Sequence, residues 1–365
     1  MSTRTQCARF APKEGAVAEY HILVTVTDPS LAFESQLDAV LEACSAASAG
    51  KTLHFRRFFL SDAASQYPQL KRALGPLPAV PTSVIGQAPL DGTRIAAWLY
   101  ATSPMGSPDG ALVHNGYTHY WDAAMTSPEG DSYRQMSDIF AQYGQCQEQK
   151  GLSVASDTIR TWIFVRDIDN NYAGVVKGRR EYFDRIGLTV DTHYIASTGI
   201  EGNAPDSRNL VAMDAYSVGG LQEGQLGYLY ALDHLSRTSD YGVTFERGAT
   251  VTYGDRKQLY ISGTASIDAQ GKTLFEGDVK KQTGRMLENV RALLAEAGAD
   301  MQDIAMAIVY LREDADYPAV KAILEKECPS LHAVYVHAPV CRPAWLVEME
   351  CIALTPAGNP AFPLF

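Results

Sequence analysis

One order of strands and helices occurs three times along this chain, and a triplicated unit narrows the possible folds more than any other feature of the sequence. In "DIAMAIVYLREDADYPAVKAILEKECP" (303–329) apolar alternation gives a strand, and "REDAD" turns the chain into an amphipathic helix. The run "DTIRTWIFVRDIDNNYAGVVKGRREYFDRIG" (157–187) has the same strand, acidic turn and helix, with a Tyr near the helix start. The segment "KTLHFRRFFLSDAASQYPQLKRALG" (51–75) supplies a third copy. A longer amphipathic helix precedes each: "AFESQLDAVLEACSAAS", "SYRQMSDIFAQYGQCQEQKG" and "DVKKQTGRMLENVRALLAEAG". In the last, Val279, Met286, Val290, Leu293 and Leu294 recur at helical spacing, and Gly298 supplies a stop. Two strand-like runs close each copy. The third copy opens with a hairpin turning at Gly254-Asp255, the second with "ALVHNGYTHYWDAAM" and the first with "AVAEYHILVTV".

The unit is therefore β-β-α-β-α-β-β, an α+β arrangement in which helices cover one face of a mixed sheet. Boundaries fall in the Pro/Gly/Ser-rich stretch 101–110 and in 219–240, giving units over 1–105, 106–235 and 240–365. Three such sheets in one chain are expected to pack as a pseudo-trimer, with clefts between neighbouring units. A single chain closing that ring and a homotrimer of chains both fit the pattern.

The chain has 365 residues, 46% hydrophobic, with a formal charge of −11. An acidic surface repels phosphate backbones, so nucleic-acid binding is excluded as a general function, while a small anion remains possible wherever Arg clusters. The six cysteines show neither Cys-x-x-Cys pairing nor a His at zinc spacing, and read as reduced thiols of a cytoplasmic protein. No metal or cofactor is implied. The N-terminal run lacks the apolar segment of a signal peptide, and no stretch approaches the roughly 20 apolar residues of a membrane span.

The closing strands differ in one telling place. "LVEMECIA" in the third copy aligns with "VAMDAYS" in the second and "IAAWLYA" in the first, so Glu348 matches Ala212 and Ala96. A methyl group serves the fold twice, which marks Glu348 as the candidate for a single reactive site. The bland readings are a solvated sheet edge or a purely structural pairing with Arg. Glu350 has Asp214 as its counterpart, so a polar group there reads as architectural. Arg160 points from a strand, Arg179 and Arg180 sit on a helix that can equally be a solvated face, and Arg247 opens the third copy. Guanidinium forks match carboxylates in two-point contacts, so converging Arg residues would suit a dicarboxylate. Cys341 alone reads as core filler more readily than as a nucleophile, since no base adjoins it.

Residues 243–355 resemble the Rid/YjgF family throughout "LYISGTASIDAQGKTLFEGDVKKQTGRMLENVRALLAEAGADMQDIAMAIVYL" and in "VEMECIA". Many members are homotrimers that hydrolyse enamines and imines using an Arg about fifteen residues before the strand glutamate. That place falls near Ala333 here, with no Arg beside it. A closer resemblance over 110–355 is to the chorismatases, which are built of Rid-like units. It is carried by "RTW" (160–162), "GR" (178–179), "STGIEG" (197–202), "FERGAT" (245–250), "SGTAS" (262–266) and "CRPAWLVEME" (341–350). The resemblance implies that Glu348 protonates the enolpyruvyl methylene of chorismate, so that pyruvate leaves, with Cys341 also placed at the catalytic centre. It further implies substrate contacts at Arg160, Arg179, Arg247, Thr198, Gly199, Gly263 and Tyr241. Gly263 and Cys341 resemble the hydroxybenzoate-forming type more than the diene-diol-forming type. Two departures stand out: "SDYGVTFERG" keeps Tyr241 and Gly242 but lacks the Pro-Arg that usually follows, and "STGIEG" inserts Glu201. A Rid-type deaminase and a non-catalytic binder of small carboxylates are the alternative readings.

Overall fold

Each repeat forms its own sheet in the computed structural model, which describes residues 2–75, 80–105 and 111–365. The first comprises β1 (Thr3–Phe10), β2 (Glu19–Val26), α1 (Phe33–Ser48), β3 (Thr52–Leu60), α2 (Ala63–Leu74), β4 (Thr82–Gly86) and β5 (Ile95–Thr102). The second comprises β6 (Leu112–His114), β7 (Tyr117–Thr126), α3 (Ser132–Gln149), the single turn α4 (Val154–Asp157), β8 (Thr158–Val165), α5 (Ile168–Arg185), β9 (Ala196–Glu201) and β10 (Val211–Gly219). The third comprises β11 (Leu226–Leu229), β12 (Gly248–Thr252), β13 (Lys257–Ala265), α6 (Val279–Glu296), β14 (Ile304–Leu311), α7 (Tyr317–Glu327), β15 (Ala333–His337) and β16 (Val347–Thr355). The sheet orders are β1-β2-β5-β3-β4, β6-β7-β10-β8-β9 and β11-β12-β13-β16-β14-β15. One parallel pair in each (β3–β4, β8–β9, β14–β15) makes the sheets mixed, as expected from the repeat.

The closing strands β5, β10 and β16 lie inside their sheets and are buried at every position, which is why they read as near-continuous apolar runs. Alternate residues go to different cores. In β5, Ile95, Ala97 and Leu99 pack under the first unit's helices, whereas Ala96, Trp98 and Tyr100 face a core shared by all three units. In that shared core Trp98 meets Trp162 edge-on at 5.9 Å, Trp121 stacks on Tyr216 at 4.8 Å, and Tyr216 leans on Tyr260 at 5.4 Å. The three sheets thus surround a common aromatic centre as a pseudo-trimer.

Buried ion pairs join each pair of units: Arg57 to Asp214 at 2.7 Å, Arg160 to Glu350 at 2.7 Å and Arg256 to Glu19 at 2.9 Å. Backbone bonds also cross each junction, from Gly86 N to Asn203 O (2.8 Å), Glu201 N to Pro339 O (3.1 Å) and His337 N to Ala88 O (2.8 Å).

Two strands went unread in the sequence. β1 is a half-exposed edge strand with little apolar alternation, and β11 spans only four residues. Because β11 pairs with β12, the third sheet begins upstream of residue 240. The expected boundary at 105/106 adjoins 106–110, which lie outside the described residues. Among the described residues no helix is long and apolar enough to cross a membrane.

His21, His54 and His119 lie buried in the shared core. Desolvation drives their affinity for protons down to about 3, 4 and 3 respectively, and neighbouring His54 and His114 add to the effect at His119. The unfolded chain binds these protons near pH 6.5 and the folded chain does not, so stability is present above that value and is lost as pH falls below it. Each histidine contributes up to about 1.4 kcal/mol per pH unit between the two values. The carboxyls of Glu348, Glu201 and Glu246, raised by burial, titrate in the opposite sense, but only Glu348 carries a shift as large as those of the three histidines. The urea midpoint should therefore fall between pH 7 and pH 5, and an unchanged midpoint would contradict this reading.

Candidate active site

Between the second and third units lies a cavity of about 320 Å³. The edge strand β9 brings Ser197, Thr198 and Gly199, and α5 brings Tyr172. Across from them β13 presents Gly263 and Ala265, and β16 presents Glu348. The loop before β16 adds Cys341, Arg342 and Trp345, and the segment before β12 adds Tyr241 and Arg247.

Strand pairing places Glu348 opposite Tyr310, as Ala212 is opposite Phe164 and Ala96 opposite Phe59. The three positions are therefore structurally equivalent, and only the third carries a carboxyl. Glu348 is 4% exposed, and no described residue hydrogen-bonds its side chain. Desolvation, followed by repulsion from Glu350, pushes its pKa up to about 8 against the opposing pull of Arg247 and Arg160. It is a carboxylic acid that still holds its proton at neutral pH.

Gly263 explains how that carboxyl fits. A Cβ built there would lie 2.1 Å from Glu348 Oε1 and 3.0 Å from Thr198 Cγ2. Gly263→Ala should therefore swing the carboxyl off its position with folding retained, at a cost of about a hundredfold or more in any turnover that uses it as an acid. An alanine variant with unchanged kcat would show that the position of the carboxyl does not matter. Gly199 plays a similar part, since a Cβ there would meet the Tyr172 ring at 2.9 Å.

The arginines separate into two groups. Arg160 does not line the cavity: its Nη2 donates to Glu350 at 2.7 Å and to Thr198, and its Nη1 to Ser262 at 3.2 Å. Glu350 also accepts from Trp162 Nε1 at 2.8 Å and from the Thr198 hydroxyl. That same hydroxyl accepts from Gly263 N at 2.9 Å, so Thr198 ties the Arg160–Glu350 pair to the strand beneath Glu348. Arg179 stands behind the wall. Its Nε donates to Thr244 at 3.1 Å, and its buried Nη2 has no hydrogen-bond partner among the described residues.

Arg247 and Arg342 do line the cavity. Arg247 gives Nε and Nη2 to the Ser236 carbonyl at 3.2 and 3.0 Å, and lies over the rings of Tyr241 and Phe245. Arg342, not singled out as a ligand from the sequence, lies over Tyr241 at 4.6 Å and Trp345 at 5.1 Å and forms no ion pair with a described residue. The signal that could have found it is its place beside Cys341 in "CRPAW", one turn ahead of the strand carrying the acid. Tyr241 has a buried hydroxyl without a hydrogen-bond partner among the described residues, and burial holds it protonated.

Burial and the nearby Glu348 push the Cys341 thiol up to about 12, so it is a neutral wall of the cavity and no thiolate nucleophile. The inserted Glu201 points elsewhere, accepting from the backbone of Asp167 (2.9 Å) and Ile168 (2.6 Å) at the start of α5. Ala333, where a deaminase arginine would fall, lies on β15 at a different junction.

Known proteins resemble this chain at two scales. The family model for endoribonuclease L-PSP matches residues 249–355. A RutC family protein of Pyrococcus abyssi is 32% identical over 97 residues, which are 26% of this chain and 76% of that protein. The 3-aminoacrylate deaminase RutC of Acinetobacter baylyi is 29% identical over 99 residues, 26% of this chain and 77% of that protein. At the scale of the whole molecule, a crystal structure of a chorismatase superposes with a TM-score of 0.62 and 16% identity, covering 96% of this chain and 98% of that one. Through its third unit the chain belongs to the RutC family within the Rid/YjgF-like superfamily, and all three units together have the fold of a chorismatase.

Proposed function

We propose that this protein is an enzyme that cleaves the enolpyruvyl ether of chorismate, or of a related cyclic enolpyruvyl acid, by general-acid catalysis. The observation that carries this reading is Glu348: a carboxyl neutral at pH 7, inside a small cavity whose other charged groups are guanidiniums. An enol ether is unreactive until its terminal methylene carbon takes a proton, and only an acid that has kept its proton at working pH can supply one. Glu348 gives its proton to that carbon, leaving an oxocarbenium ion at the ether carbon. The ether bond to the ring then breaks and pyruvate is released. Loss of a ring proton leaves a hydroxybenzoate with no net uptake of water, whereas net addition of one water gives a dihydroxycyclohexadiene carboxylate.

The cations serve the two carboxylates of such a substrate. Arg342, lying over two rings and forming no ion pair with a described residue, and Arg247, held through Nε and Nη2 by the Ser236 carbonyl, face the cavity. Arg179 Nη2 behind the wall and the Tyr241 hydroxyl on it, neither with a hydrogen-bond partner among the described residues, supply two further donors. Arg160 acts from the second rank by holding Glu350. Tyr172 beside Gly199, and the neutral Cys341 thiol, shape the space for the ring.

Incubation of the protein with chorismate, with pyruvate followed through a coupled dehydrogenase, tests the reading. Stoichiometric pyruvate is expected. Chorismate that raises the melting temperature yet yields no pyruvate from pH 5 to 9 would make the protein a binder and overturn it.

A further inference from the structure

The pseudo-symmetry that places the Glu348 cavity between units two and three also creates a cleft between units three and one. There the edge strand β15 meets β1 and β2 much as β9 meets β13, and a cavity of about 520 Å³ opens, larger than the first. The two correspond in strand register and in the loop that borders each. Ala96 stands opposite Thr25 as Glu348 stands opposite Ala265. Pro89 bridges Val336 as Val340 bridges Ile200, and two residues beyond those bridges Asp91 takes the place of Arg342. The position of Glu348 is taken by Ala96, which is buried outside the cavity lining, and a guanidinium has become a carboxylate.

Two charges of opposite sign line this cleft, both on exposed side chains and neither in an ion pair with a described residue. Asp91 Oδ1 accepts from Thr93 N (3.1 Å) and Oγ1 (2.6 Å), which fixes the carboxylate, and Asp91 forms no ion pair with a described residue. Its charge acts on Tyr317. Arg4, on β1, likewise forms no ion pair with a described residue, and its charge acts on Tyr335. The two tyrosine rings meet edge-on at 5.4 Å and form an aromatic wall. The remaining cation, Lys321, is already engaged with Glu325 at 3.9 Å and lies over the Tyr317 ring. The Glu348 cavity, by contrast, presents cations and a neutral acid, a setting for anions alone.

We propose that the cleft between units three and one is a second binding site, for a zwitterionic small molecule of the amino-acid type, which it holds without transforming. Arg4 takes the carboxylate in a two-point contact, Asp91 takes the ammonium group, and the body of the ligand lies against Tyr317 and Tyr335. With Ala96 in place of the acid, no group in the cleft matches the proton donor of the other cavity. Nothing in this cleft depends on the reaction at Glu348.

Calorimetric titration of the intact protein with L-phenylalanine, L-leucine, L-glutamine and L-lysine tests the site, followed by the deaminated acid and the decarboxylated amine of any that binds. At least one amino acid should bind about tenfold or more tighter than either singly charged analogue. Arg4→Ala and Asp91→Asn should each weaken it about tenfold, while Arg342→Ala and Glu348→Gln leave it unchanged. The proposal is overturned if none of the four binds at millimolar concentration or if a singly charged analogue binds as well. It is equally overturned if binding disappears in Arg342→Ala and survives in Arg4→Ala.

Discussion

Glu348→Gln should release pyruvate from chorismate at a rate about a hundredfold to ten-thousandfold below wild type, the range lost with a positioned general acid. The amide has the shape of the protonated acid and fits over Gly263, but has no proton to give. Folding should not suffer. Glu348 has a folded pKa raised from the ordinary carboxyl value of 4.5 to about 8, so the stability linked to its protonation is fully present below pH 4.5 and is lost as pH rises through 8. The amide escapes that loss, which amounts to roughly 5 kcal/mol at alkaline pH, and should be more stable than wild type at pH 9. Wild-type turnover should hold up to about pH 8 and then fall tenfold per pH unit. A Gln variant with undiminished turnover would remove Glu348 from the chemistry.

Asp214→Ala should be among the most damaging single changes to the fold, lowering the free energy of unfolding by about 3–5 kcal/mol. Asp214 accepts from Arg57 Nε (3.1 Å) and Nη2 (2.7 Å) and from Ala124 N (2.8 Å), all across or beside the junction of the first two units. The guanidinium has no exposure to water, and four aromatic rings (Phe55, Trp98, Trp162, Phe164) surround it. Removing the carboxylate strands that charge in an apolar enclosure. Replacing both partners, Arg57→Met with Asp214→Leu, should recover most of the loss. Urea unfolding measures both, and a single-variant cost below about 1 kcal/mol would mean that water reaches the guanidinium.

The repeat made the three sheets legible because each copy buries both faces of its closing strand, and a strand buried on both sides advertises itself as an apolar run. Comparison among the copies singled out Glu348 for the same reason: Ala96 and Ala212 show what the fold alone needs at that register. Partnership across units was not legible. Arg160 and Arg342 look alike in sequence, yet the first is consumed by Glu350, a residue 190 positions away, while the second lies over two rings and pairs with no described carboxylate. Nor does any local pattern indicate that Gly263 is bare because a carboxyl from another strand lies upon it. The edge strand β1 escaped notice because one side faces solvent and the other a polar cleft, so its residues show no contrast between inside and outside.

The claim on which the chemistry depends is that Glu348 keeps its proton at pH 7. A ¹³C-carboxyl NMR titration, with Glu348 assigned by difference against Glu348→Gln, measures this directly. The account predicts a resonance typical of a protonated acid at neutral pH, with a midpoint near pH 8. A carboxylate already ionised at pH 6 would contradict it.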